Sequence, residues 1–210
     1  MAEQLPVRVR EGTGDETLVL LHGRGADEHD LFGLFDALDP ERRLRGITVG
    51  GPLFLPPGGR HWYVVPRVGF PDHDTFTATF AALQQTLDEE LGVDWSRTVV
   101  GGFSQGTVMS YALGLGAGRP RPAGILALSG FVPTVEGWTA AVPAGLPVFV
   151  GHGSADPVIA VEFARGARTL LEAGGAAVEY HETPMAHTID PRVLPDVQRW
   201  LAETTSTASG

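Results

Sequence analysis

Ser104 stands at the centre of Gly102-Phe103-Ser104-Gln105-Gly106, a G-x-S-x-G pattern. It lies between an apolar run that reads as a strand (98–100, leading into Gly-Gly-Phe) and a helix-compatible segment, 106–116. That setting is the one a nucleophile elbow requires. Small residues two positions either side leave room for a tight, strained turn, which lifts the hydroxyl clear and aims the following amide N–H groups at the reaction centre. A serine hydroxyl needs a base, and the base needs an acid to orient it. Asp156 follows the strand-like run 147–150 and precedes Pro157; alone, it reads equally well as a helix cap. His187 lies in a short loop after the run 177–180; alone, it reads as a surface histidine. Together they follow three different strands on one sheet edge, in the order Ser, Asp, His, and a catalytic triad becomes the better reading. An oxyanion hole needs two backbone donors. The Gln105 N–H, just after the serine, supplies one; the Arg24 N–H, flanked by Gly23 and Gly25 after an early strand, is the candidate for the other. The Arg24 side chain, able in principle to attract a carboxylate, is expected to face solvent.

These residues need a scaffold, and the pattern indicates which. Runs 17–21, 46–49, 98–100, 125–128, 147–150 and 177–180 are β-branched or apolar at nearly every position, as strands buried on both faces are. Helical periodicity fills 27–38 and 76–91 and the segments after Ser104, Pro157 and Pro191. The alternation predicts a mostly parallel sheet with helices on both faces, and ligands at the carboxyl ends of its strands. Segment 51–74, with Pro-Pro-Gly-Gly at 56–59, is a long loop expected to lie over the active face. One domain, 1–203, is predicted; 204–210 is small and polar and expected to be a disordered tail.

Composition excludes more than it selects. The net charge is −10 and all 15 basic residues are arginine, with no basic tract, which disfavours nucleic acid and anionic membrane surfaces and, at long range, anionic substrates. Without lysine, Schiff-base and P-loop chemistry drop out. Without cysteine, so do disulfides, thiolate nucleophiles and cysteine metal sites. The histidines lack metal-ligand spacing, so no metal site is expected. No apolar run reaches membrane-spanning length and no signal peptide is legible at the start, so a soluble, cytoplasmic protein without stable membrane insertion is expected.

Leu21-His22-Gly23-Arg24-Gly25, the serine motif, Leu128-Ser129-Gly130, His152-Gly153-Ser154-Ala155-Asp156-Pro157-Val158 and Met185-Ala186-His187 together resemble the phospholipase/carboxylesterase family, which includes acyl-protein thioesterases and small bacterial carboxylesterases. The resemblance runs collinearly over about 17–201. It implies an α/β-hydrolase fold without a separate lid domain. It also implies cofactor-free cleavage of small-molecule esters or thioesters through an acyl-enzyme, and it leaves a homodimer open. It sets Gly59-Arg60-His61-Trp62-Tyr63 near the substrate channel, so Trp62 and Tyr63 become substrate-contact candidates, with Phe131 and Trp138 as further walls of an acyl pocket. The chain departs from the family at Trp62-Tyr63-Val64, where an acidic residue is usual, and at Ala186, where glycine is usual. A thioesterase or lysophospholipase on the same scaffold, and a triad-bearing ligand sensor with negligible turnover, are the competing readings.

Overall fold

In a computed structural model describing residues 4–207, the chain opens with a strand, β1 (Val7–Arg10), followed by β2 (Thr17–Leu21), a short helix α1 (Leu34–Leu38) and β3 (Arg45–Val49). A small hairpin, β4 (Leu53–Phe54) and β5 (Arg60–His61), precedes α2 (His73–Gln84). Then come β6 (Thr98–Phe103), α3 (Gln105–Leu115), β7 (Gly124–Leu128), β8 (Pro147–Gly153), α4 (Val161–Ala173), β9 (Ala177–Thr183) and α5 (Leu194–Thr207).

Seven strands form one sheet in the order β1-β3-β2-β6-β7-β8-β9. Only β1 runs antiparallel to its neighbour; every other pairing is parallel. Strand side chains alternate faces, so a strand covered on both sides must be apolar throughout. In β2, Val19 and Leu21 join Val100, Met109 and the helices α2 to α4 on one face. Leu18 and Leu20 join Phe35, Phe149 and Trp200, under α1 and α5, on the other. Each fully buried side chain of this kind contributes about 1.5–3 kcal/mol. The parallel arrangement brings the carboxyl ends of β2, β3, β6, β7, β8 and β9 to one edge. The loops carrying Arg24, Ser104, Phe131, Asp156 and His187 all leave from that edge.

The structure departs from the sequence expectations in several places. β1 was not anticipated: Val-Arg-Val-Arg looks solvent-facing, yet Arg10 is buried and its guanidinium meets Asp39 at 2.5 Å. Helix 27–38 shrinks to Leu34–Leu38. Asp27 draws the backbone N–H of His29 to its own side chain, and Gly33 weakens helix continuation. The 76–91 helix starts earlier, capped by Asp72, and ends in a π-helical stretch, Gln85–Glu90. The disordered tail expected from residue 204 is corrected as far as 207. α5 continues through it with Thr204 and Thr205 buried, and the Thr205 hydroxyl donates back to the Leu201 carbonyl at 2.9 Å. Residues 208–210 lie outside the described residues. No helix among the described residues is long and apolar enough to cross a membrane.

Candidate active site

Ser104 sits between β6 and α3 with φ 57° and ψ −119°, a region that L-residues enter only under constraint. The constraint is visible: its N–H donates to the Leu128 carbonyl of β7, and the Thr107 hydroxyl lies between the Gly102 and Leu128 carbonyls at 2.6 and 2.7 Å. The side chain therefore projects from the carboxyl edge of the sheet, only 6% exposed.

The structure brings Ser104, His187 and Asp156 together. His187 Nε2 lies 2.9 Å from Ser104 Oγ, and His187 Nδ1 lies 2.6 Å from Asp156 Oδ2. The other Asp156 oxygen accepts the N–H groups of Val158 and Ile159, both at 2.8 Å. Burial pushes the Asp156 carboxyl up, but these bonds, from His187 first, outweigh burial and hold it below the usual carboxylate range. An ionised Asp156 requires a proton on Nδ1, which leaves the Nε2 lone pair facing the serine hydroxyl. The Phe103 ring packs 4.8 Å from the imidazole and limits its swing. Periodicity did not reveal how the two loops are held together. A Cβ on Gly153 would lie 2.3 Å from the Met185 carbonyl oxygen, and the N–H groups of Ser154 and Ala155 donate to Thr183 and Met185.

Beside Ser104, no acceptor among the described residues takes the N–H groups of Arg24 or Gln105, so both are free for a ligand oxygen. His22 shapes the Arg24 loop. Its Nδ1–H donates to the Gly23 carbonyl at 2.6 Å and its Nε2 accepts the Gly51 N–H at 2.9 Å, which together need the neutral ring. Burial holds this imidazole below its ordinary 6.5 against the pull of the Gly23 bond and of nearby Asp30, Asp27 and Glu28. The unfolded chain therefore takes up this proton first as pH falls through 6.5, and the stability His22 provides, full above 6.5, is lost below it. The fall in Tm between about pH 7.5 and about pH 5 is expected to be smaller in His22→Gln than in wild type; equal falls would assign the acid loss to other groups.

A cavity of about 420 Å³ opens on Ser104. Tyr63 and Phe131 line it, and so do Val64, Val65 and Val68 of the 51–74 loop, which lies over this face. Trp62 is corrected. It is fully buried and off the cavity wall, its indole N–H donates to the His22 carbonyl at 2.7 Å, and its backbone N–H donates to Gln105 Oε1 at 3.0 Å. It braces the Arg24 loop from below. Trp138 is also off the wall and packs against the core. Arg24 is exposed but lines the cavity, so its side chain faces the cavity as well as solvent. His152 bonds locally, to the Ile159 carbonyl at 2.8 Å. Among the described residues no group of three or more His, Asp or Glu side chains is arranged to hold a metal.

The arrangement pairs a hydroxyl hydrogen-bonded to an imidazole with free amide donors beside a largely apolar cavity, groups of the kinds that acyl transfer uses. The same fold appears in a carboxylesterase from Bacillus cereus, with a TM-score of 0.85, 24% identity, and 97% of this chain and 96% of that one covered. An acyl-protein thioesterase 1 from Debaryomyces hansenii is 29% identical over 174 residues, covering 77% of this chain and 73% of the relative. The Bacillus subtilis protein MhqD is 27% identical over 196 residues, covering 92% and 96%. Residues 3–205 match the phospholipase/carboxylesterase pattern, nearly the whole length over which the strands, loops and hydrogen bonds above are built. This α/β-hydrolase chain therefore belongs to the phospholipase/carboxylesterase family of hydrolytic enzymes.

Proposed function

We propose that the protein is a serine carboxylic-ester hydrolase acting through an acyl-enzyme on esters of small or medium acyl groups. The observation that carries this reading is the hydrogen-bonded series Ser104–His187–Asp156, at 2.9 and 2.6 Å, with Ser104 on the wall of the 420 Å³ cavity.

His187 Nε2 takes the hydroxyl proton as Ser104 Oγ forms a bond to the ester carbonyl carbon. The carbonyl oxygen becomes an oxyanion held by the Arg24 and Gln105 N–H groups, and Asp156 stabilises the imidazolium. The bond to the alkoxy oxygen then breaks, and that oxygen leaves with the proton from Nε2. Water, deprotonated by His187, attacks the acyl-serine; the carboxylic acid departs and Ser104 regains its proton. The balance is one ester and one water in, one alcohol and one acid out, with no cofactor in any step.

Thioester cleavage is the second reading, favoured by the relatives named acyl-protein thioesterases. The two are separated by multiple-turnover kinetics on p-nitrophenyl acetate, butanoate, hexanoate and decanoate beside the matching acyl-CoA thioesters. Oxygen esters of acetate to hexanoate are expected to give the highest kcat/KM. A thioester advantage of tenfold or more would replace the ester reading with the thioesterase one. Stoichiometric labelling by a fluorophosphonate without turnover of any substrate would leave only a ligand sensor.

A further inference from the structure

The cavity beside Ser104 carries a charge opposite to that of the protein. Arg24 and Arg67 both line it, and no aspartate or glutamate does. Nine of the 15 arginines are paired with carboxylates, but neither of these two has an acidic partner among the described residues. Arg67 instead lays its guanidinium over the Phe70 ring, 3.7 Å from the centroid, with its N–H edges left open. His61, also on the wall, adds no charge: burial first, and then the nearby Arg24, hold its imidazole below the usual value. The remaining wall is mostly Tyr63, Phe131, Ile159 and the three valines of the 51–74 loop. An apolar cleft with two open guanidinium groups fits a ligand with an apolar body and an anionic end. Low-dielectric walls focus such a field locally, whatever the net charge of −10 does at a distance.

The geometry also indicates which half of an ester enters. The leaving oxygen must receive its proton from His187 Nε2, so the alcohol lies on the His187 side of Ser104. The cavity is lined by Arg24 and Gln105, whose N–H groups the proposed mechanism assigns to the carbonyl oxygen, and His187 does not line it. The acyl chain therefore points into it. We infer that the preferred substrates are esters whose acyl chain ends in a carboxylate, that is, monoesters of dicarboxylic acids, with Arg24 and Arg67 binding the free carboxylate. The inference rests on the ester-hydrolase reading above and names its substrate class.

The test compares mono-p-nitrophenyl adipate with p-nitrophenyl hexanoate, which have equal chain length and differ in the terminal carboxylate. Spontaneous hydrolysis is subtracted. In wild type at low salt the adipate to hexanoate ratio of kcat/KM is expected to be tenfold or more. It should fall toward one in about 1 M NaCl, which screens the attraction. Arg24→Gln and Arg67→Gln should each lower it roughly tenfold, the order of a charge-assisted hydrogen bond. Because the ratio is taken within each variant, loss of folded protein cancels. A wild-type ratio near or below one, or a ratio indifferent to both substitutions, overturns the inference while hexanoate turnover keeps the esterase reading. Faster cleavage of 4-sulfophenyl hexanoate than of the adipate moves the anion to the alcohol side and likewise overturns it. If none of the three esters turns over, both readings fall.

Discussion

Ser104→Ala is expected to lower kcat/KM on p-nitrophenyl butanoate by about 10⁴-fold to 10⁶-fold while the fold persists. The size follows from how the three side chains depend on one another. His187 is oriented by a carboxylate fixed by two backbone N–H groups at 2.8 Å, and its other nitrogen faces a single oxygen, Ser104 Oγ. On the proposed mechanism, removing that oxygen leaves the base no nucleophile to activate; what would remain is binding and the Arg24 and Gln105 donors acting on attack by water. Alanine keeps the Cβ, so the positive-φ turn asks no more of the backbone than serine does. The lost hydrogen bond is one that water can replace, so a stability change within about 1 kcal/mol is expected. Circular dichroism and Tm close to wild type, together with loss of fluorophosphonate labelling, would assign the lost rate to chemistry. A rate loss below tenfold would remove Ser104 as the nucleophile.

The meeting of Ser104, Asp156 and His187, as distinct from their roles, is legible in the sequence because a parallel sheet brings the ends of its strands to one edge. Topology alone brings residues just past those strand ends to the same rim of the sheet. The features sequence reading missed depend on contacts that no periodicity encodes. Trp62 reads as a wall of the substrate channel because the loop that carries it resembles the family's channel loop. Its indole N–H instead finds the His22 carbonyl, a partner 40 positions away, and that single bond turns it inward. Arg67 and the three valines around it carry no pattern, since a loop has neither a 3.6 nor a two-residue repeat, and their position follows from where β3 and α2 anchor the segment. β1 escaped because pairing hides its polarity: Arg10 can be buried only once Asp39 and the Leu44 carbonyl are in place to receive it. The tail was misread for the converse reason. Threonine and serine are poor interior helix formers, yet Thr204 and Thr205 are buried on the last turns of α5.

Gly106→Ala is expected to destabilise the protein by about 3 kcal/mol, lowering Tm by roughly 6–12 °C, and to reduce turnover of whatever remains folded. A Cβ at this position would stand 1.9 Å from the Leu21 carbonyl oxygen, 2.4 Å from its carbon and 2.7 Å from the His22 carbonyl oxygen. These are backbone atoms at the end of β2, an interior strand paired on both sides with β3 and β6, so they have nowhere to withdraw. The helix must give instead. α3 is buried along its whole length and holds Ser104 at its start, so any outward shift moves the hydroxyl from His187, and a displacement near 1 Å is enough for about a 100-fold loss of rate. Gly166→Ala supplies the control. This glycine lies within α4 with nothing near the added carbon, and the substitution there is expected to stabilise by about 0.5–1 kcal/mol. The same methyl group thus acts with opposite signs at two helical glycines, and differential scanning calorimetry of the two variants reads both. If Gly106→Ala kept the wild-type Tm and rate, crowding against β2 would not be what reserves that position for glycine. The strain at Ser104 would then have to be held by the Leu128 and Thr107 hydrogen bonds alone.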